Sequence, residues 1–336
     1  MMHLLLAQPT DPLTMTLSSW WFVVMVALLG ASVGSFLNVV IARLPKGMSI
    51  VSPGSHCFAC GAPVAWYDNI PVVSYFVLRG RCRHCGASFS AIHMLVELIG
   101  AVLAVACFEH ARAHIPAVHL ARFVAEYAFC SFMVVIAFID AKTWIIPNKL
   151  TYPGLIIFWS LAILTGRLTW WDASIGAFAG FGLLASVIVV YGLITGRQGM
   201  GWGDVKLLAL IGAYLGWMAL AGIILLAAVQ GLILAIAAMA LGRLPTPSQA
   251  YEPLVDKEEA DSKKEPSDRN DAENPPSDHR APKTEDEADH VQTETPDDDA
   301  ARANWRQIPL PFGPFLALAA VEMLFFADRI YRVWLM

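Results

Sequence analysis

Two aspartates and four cysteines carry the chemistry open to this sequence. Asp140 is followed by Ala141-Lys142-Thr143-Trp144-Ile145-Ile146-Pro147-Asn148, where Pro147 biases Ile146 away from helix and is expected to end the turn. Asp204 closes the run Gly199-Met200-Gly201-Trp202-Gly203-Asp204, with three glycines in five residues. Such glycines let the backbone leave helical geometry and aim an Asp where a regular helix would not. Both aspartates fall at the edge of an apolar run and on the same side, so they share a level. Like charges a few ångströms apart do not both ionise easily, so one carboxyl stays protonated while its partner remains a base. Such a base takes a proton from water while the acid bonds a scissile carbonyl, which is aspartic-protease chemistry. The competing reading makes each Asp a helix cap, or an ion-pair partner of Lys142 or Lys206.

The cysteines form two C-x-x-C pairs, Cys57-Phe58-Ala59-Cys60 and Cys82-Arg83-His84-Cys85, each followed by glycine and separated by 21 residues. Two such knuckles complete a tetrahedral thiolate site for zinc, with Zn–S distances of about 2.3 Å. The separation lies just outside the usual zinc-ribbon window of about 15–20 residues. Two disulfides, or free cysteines, are the alternative, the disulfides being disfavoured if the loop lies in a reducing compartment. A closed four-thiolate site leaves no position for substrate, so its expected role is structural. His56 and His84 flank the set as bystanders, and Cys107 and Cys130 read as small apolar residues within helices.

The elements that must position these groups are membrane spans. The chain is 57% hydrophobic and only 15% charged, against about 25% charged in an ordinary soluble domain. The fold expected is an all-α polytopic membrane protein with about eight transmembrane helices, near 19–43, 93–111, 122–139, 152–168, 173–195, 206–217, 219–242 and 312–331. A small cytoplasmic zinc-binding loop domain spans 44–92. Residues 1–18 carry no Lys or Arg, so the first run reads as a true span behind an N-terminal periplasmic segment. Lys and Arg in short loops, nine against five, place the 44–92 loop in the cytoplasm and both termini outside. The 93–242 region forms the transmembrane core, and 307–336 the last helix and C-terminus. Between them, residues 243–306 hold 9 Lys and Arg against 18 Asp and Glu. That composition reads as a disordered, acidic cytoplasmic insertion.

Other carboxylates near spans are Glu97, Glu109, Glu126, Asp172, Glu322 and Asp328. Glu109, Asp172 and Asp328 fall near outer ends, where water solvates them. Glu97 reads either as functional or as a buried carboxyl bonded to a neighbouring helix.

The motifs resemble one family. Asp140 with Pro147-Asn148, and Gly201-x-Gly203-Asp204, are similar to the two aspartate signatures of the type IV prepilin peptidases. The second also resembles the G-x-G-D of wider intramembrane aspartyl proteases. The likeness extends to Gly34-Ser35-Phe36-Leu37-Asn38, Trp66-Tyr67-Asp68-Asn69-Ile70-Pro71, Leu78-Arg79-Gly80-Arg81-Cys82, Val96-Glu97-Leu98 and Pro311-Phe312-Gly313-Pro314. The resemblance implies a bacterial inner-membrane enzyme with Asp140 and Asp204 catalytic. It would cleave the basic leader of prepilins or pseudopilins at the cytoplasmic face. It also implies N-methylation of the new terminus from S-adenosylmethionine, with zinc on the four cysteines. Prepilins and membrane lipid are the expected partners, and nucleic acid is not. Asn148 stands where many members have Asp, Phe58 where they often have Pro, and the acidic insertion is unusual. No G-x-G-x-x-G loop marks a methyl-donor site, for which Asp68, Asn69 and Glu97 are the candidates. Two other classes compete: a transporter relaying protons through membrane carboxylates, and a structural membrane subunit whose zinc loop docks partners.

Overall fold

Apolar runs interrupted by glycine and proline fold as helices in the places expected. A computed structural model describes residues 20–112, 119–196, 201–241 and 311–334. The 1–18 segment, the acidic insertion, and Gly199 and Met200 lie outside the described residues. The long helices are α1 (Trp20–Arg43), α2 (Ile92–Arg112), α3 (His119–Thr143) and α4 (Asn148–Leu164). They continue as α5 (Trp170–Thr195), α6 (Trp202–Leu215), α7 (Trp217–Ala240) and α8 (Gly313–Trp334). Among the described residues there is no strand, only two isolated bridges within the 44–92 loop.

Five of these helices, α1, α2, α3, α5 and α7, are long and apolar enough to cross a membrane. The chain is therefore a multi-pass membrane protein by length and composition. The sixth expected span is a short helix. This helix, α6, has 14 residues, or about 21 Å at 1.5 Å per residue, against a hydrocarbon core of about 30 Å. Gly216, at φ +88°, breaks the run before α7 starts at Trp217. Instead of facing lipid, α6 is the central strut: every residue from Asp204 to Tyr214 except Lys206 is buried.

In lipid, close packing must replace the hydrophobic drive, and small residues allow backbones to meet. A Cβ at Gly30 of α1 would fall 2.5 Å from Ala104 Cβ of α2, and one at Gly100 would fall 2.6 Å from Gly30 O. Helices α5 and α6 meet the same way, through Gly176 against Gly212 and Gly180 against Leu208. At the far end of α6, Tyr214 stacks on Phe129 of α3 at 4.4 Å.

Beneath that ring lies Glu126, 1% exposed. It is held by His110 at 2.8 Å, Arg122 at 3.0 Å and Arg167 at 3.2 Å. The guanidinium of Arg167 also lies 5.2 Å from the centre of the Tyr214 ring. A lone buried carboxylate would cost several kcal/mol, so the cluster ties α2, α3 and the α4–α5 turn to one point. Asp172 is not merely solvated. It closes a capping pair with Thr169, whose hydroxyl donates to Asp172 Oδ2 at 2.7 Å and accepts the Asp172 N–H at 3.2 Å. Glu322 on α8 accepts from Gln230 of α7 at 2.6 Å.

Candidate active site and metal centre

Asp140 and Asp204 come together at one end of the helix cluster. Asp140 lies in the last turn of α3 and Asp204 in the first turn of α6, and both are buried. Ile146 links the two, lying against Gly203 beside Asp204 and against Gly313 at the start of α8, and Gly313 in turn abuts the Asp140 carboxylate. A helix start presents unsatisfied N–H groups and a partial positive charge, which suits a carboxylate.

Ile146 sets the spacing of the site. A Cβ on Gly203 would lie 3.1 Å from Ile146 Cβ, and one on Gly313 would lie 3.2 Å from Ile146 Cδ1. The same Cβ on Gly313 would fall 2.5 Å from Asp140 Oδ2. A side chain at 313 would thus displace the Asp140 carboxylate, and one at 203 would crowd Ile146. This corrects the reason expected for the glycine run. Gly201 caps α6 at φ −77°, and Asp204 sits inside a regular first turn.

The end of α3 is also made differently than expected. Trp144, at φ +58°, leaves the helix, and its N–H bonds Asp140 O at 2.8 Å. Pro147 instead caps the start of α4. A non-glycine residue in that region stores strain of the kind found at functional sites. Lys206 does not pair with Asp204. Its ammonium donates to Asn148 Oδ1 at 2.7 Å and lies 5.0 Å from the centre of the Tyr152 ring.

The 44–92 loop is built from two copies of one turn. In the first, Cys57 N–H bonds Ala62 O at 2.9 Å and Gly61 N–H bonds Cys57 O at 2.8 Å. In the second, Cys82 N–H bonds Ala87 O at 2.8 Å and Gly86 N–H bonds Cys82 O at 2.9 Å. Gly61 and Gly86 both take φ +71°, which is why each C-x-x-C is followed by glycine. The four sulfurs of Cys57, Cys60, Cys82 and Cys85 lie within 4.8 Å of one another, with Cys57 Sγ 3.8 Å from Cys85 Sγ. A tetrahedron with Zn–S of about 2.3 Å sets sulfurs about 3.8 Å apart, so the set fits a metal. All four are free thiols rather than disulfides. Backbone N–H groups of Cys60 and Ala59 pull the Cys57 thiol down to about 6, towards the thiolate that a metal needs. His56 turns to Gly54 O at 2.9 Å and stays outside the set.

Between this loop and the adjoining ends of α1 and α2 is a cavity of about 570 Å³. Asp68, Asn69 and Glu97 all line it, with Asn38 and His93. Asp68 is clamped by both arms of Arg83, at 2.7 and 2.5 Å. That guanidinium holds its carboxyl below the usual range. Glu97 bonds the loop, not a neighbouring helix: its Oε2 accepts the Val72 N–H at 2.7 Å.

Some organising residues carried no separate signal in the sequence reading. Arg43 is buried and donates to Ser49 O, Pro53 O and Gly54 O. Gly313 was noticeable only within Phe312-Gly313-Pro314, and the basic partners of Glu126 are scattered over 58 residues.

Comparison with known proteins places the whole arrangement. Residues 28–111 match the Bacterial Peptidase A24 N-terminal domain, and residues 127–236 match the Type IV leader peptidase family. A prepilin leader peptidase/N-methyltransferase of Myxococcus xanthus is 41% identical over 221 residues, covering 64% of this chain and 62% of that protein. Proteins of the same name match from Aeromonas hydrophila, at 36% identity over 65% of this chain and 81% of that one, and from Klebsiella pneumoniae, at 38% over 59% and 87%. No solved structure matches. The buried aspartate pair and the paired cysteine turns both lie within the matched regions, and the chain belongs to the Type IV leader peptidase family of enzymes.

Proposed function

We propose that Asp140 and Asp204 hydrolyse the leader peptide of type IV prepilins or pseudopilins. The burial of both carboxyls around Ile146, with the start of α8 against Asp140, is the observation that supports this most. Two buried carboxyls that share a site hold one proton more readily than none. The ionised member takes a proton from water, the protonated member bonds the scissile carbonyl, and water attacks the carbonyl carbon. The proton then passes to the leaving amine. The start of α8 at Gly313, lying against the Asp140 carboxylate, keeps it aimed while its charge changes. Lys and Arg counts put this end of the bundle at the cytoplasmic face of the inner membrane. In this reading the short helices α4 and α6, with α8, complete an eight-helix membrane body.

The same enzyme is proposed to methylate the terminus that cleavage exposes, with S-adenosylmethionine as donor. The cavity between the cysteine loop and α1–α2 supports the location. It is roomy enough at about 570 Å³, and pockets for molecules of this kind run to about 300–1,000 Å³. Bound there, the donor supplies an electrophilic methyl group. Asp68, Asn69 and Glu97 provide acidic and polar groups around it, and a zinc on Cys57, Cys60, Cys82 and Cys85 holds the loop that forms one wall. A transporter reading would need the two carboxylates to face a path through the bundle rather than Ile146 and a helix start.

Mass spectrometry of a co-expressed prepilin tests both halves, since it reads leader loss and methyl addition together. Asp140→Asn and Asp204→Asn should each leave the leader uncleaved at unchanged protein level. Cleavage like that of the wild type by either variant would sink the assignment.

A further inference from the structure

The cysteine loop carries a feature that neither metal binding nor catalysis uses. A single helical turn, Val73–Val77, projects from it. Its inner side is ordinary core: Tyr75 packs edge-on against Phe89 at 5.6 Å and covers Gly80. Its outer side is apolar and bare. Val73, Phe76 and Val77, spaced i, i+3 and i+4, are 51%, 66% and 67% exposed, and Ile70 just before them is also exposed. In a loop surrounded by water this is an inverted turn, since an apolar stripe at that spacing should face a core.

The position of the turn says what covers it. Val72, the residue that opens it, is bonded through its N–H to Glu97 at 2.7 Å. Glu97 is the sixth residue of α2, a membrane-spanning helix. That is about 7.5 Å along it at 1.5 Å per residue, or the depth of the interfacial zone rather than of open solvent. At that level α2 itself exposes Ile92, Leu95 and Leu98, its own bilayer-facing side chains. The backbone is bent to keep the turn there. Val72 has φ +63° and Arg79 has φ +51°, and for a β-branched residue such as Val72 this is a strained conformation that surrounding contacts must impose. Arg79 and Arg81 follow the turn and are exposed, as suits a segment meeting anionic headgroups. Trp66 leads in, 82% exposed, on a 3₁₀ turn joined to this one by Ser74 Oγ donating to Tyr67 O at 3.5 Å.

We propose that the Val73–Val77 turn is an interfacial membrane anchor. Ile70, Val73, Phe76 and Val77 insert among the lipid chains beside α2, and Arg79 and Arg81 engage anionic headgroups. The loop then lies against the bilayer at a set height. Its cavity faces the ends of α1 and α2, where, on the proposed function, the substrate's new terminus would be met.

The test uses the full chain in vesicles of about three parts phosphatidylethanolamine to one part phosphatidylglycerol. An environment-sensitive fluorescent amino acid replaces Phe76, or in a separate sample Ser88, which is exposed on the second cysteine turn. Lipids brominated near the top of the acyl chain should quench the label at 76 by about twofold or more, and leave the label at 88 unchanged. Lipids brominated near the chain end should quench less at 76. With the label moved to Val73, Phe76→Asp with Val77→Asp should abolish quenching. Should that double variant fail to accumulate, the singly labelled chains still decide the matter. Equal quenching at 76 and 88 would overturn the proposal. So would a label at 76 that stays unquenched in vesicles and becomes shielded only when a prepilin is added, because the surface would then belong to a protein partner.

Discussion

Adding one methyl group at Gly313 should disable the aspartate pair without touching either aspartate. A Cβ there would stand 2.5 Å from Asp140 Oδ2, 3.0 Å from its Cγ and 3.2 Å from Ile146 Cδ1. Ordinary van der Waals contact begins at 3.4 Å, so the oxygen must retreat by about 0.9 Å. Ile146 blocks one direction and is itself seated against Gly203, so the carboxylate has to rotate out of its aim. Misplacement of a reacting group by about 1 Å costs on the order of 10²-fold in rate. Gly313→Ala should therefore cut leader removal by about 10²-fold. The assay is leader removal from a co-expressed prepilin, normalised to enzyme level in membranes. Gly182→Ala serves as the control, because a Cβ at 182 meets nothing within 4 Å. Cleavage by Gly313→Ala within about threefold of wild type would refute the claim that α8 positions Asp140.

The double variant Asp140→Asn with Asp204→Asn should be no worse than either single one, because residues acting as a unit are not additive; mass spectrometry of the prepilin reads this directly. Changing Cys57 or Cys82 to Ser should lower bound zinc, measured by elemental analysis, and should reduce methylation more than cleavage, since metal binding supplies folding free energy to the loop. Full methylation with lost cleavage would reverse that allocation of roles. Glu126→Ala should destabilise the chain by about 1–3 kcal/mol, seen as a lowered unfolding temperature in detergent, because it leaves the part-buried Arg122 and Arg167 beside no anion. Replacing 246–302 with a Gly/Ser linker should leave cleavage within about a few-fold, as its composition cannot supply a packed core.

What the sequence made legible was whatever depends on local spacing. Apolar runs marked the helices, and C-x-x-C-Gly marked two turns because the left-handed Gly61 and Gly86 are part of the turn itself. The aspartates stood out because a carboxylate beside an apolar run is costly. The rest is set by side chains far apart in the chain. That α6 is an internal strut follows from how α3, α4, α5 and α8 surround it, and its apolar composition resembles that of a span. Gly203 reads as backbone freedom in one dimension and as room for Ile146 in three. Arg43, Gly313 and the set of Glu126 partners each become meaningful only when the facing residue is known.

The two proposed activities have a necessary order, because the amine to be methylated does not exist until the leader is removed. The architecture suits that order. Ile139, beside Asp140, shares an apolar cluster with Val96 near the start of α2, and His93 on the preceding turn lines the loop cavity. The peptidase helix and the cavity are thus neighbours at one end of the molecule, joined through the close of α3 and the start of α2. They are built from different elements: α3, α6 and α8 hold the carboxylates, while α1, α2 and the cysteine loop enclose the cavity. A substrate helix lying in the bilayer needs to move its cleaved end only a short way between them. A metal held in the loop rather than at the aspartates would separate what must be rigid for hydrolysis from what must be folded for methyl transfer. Damage to the loop would then remove the second proposed step while the first persists.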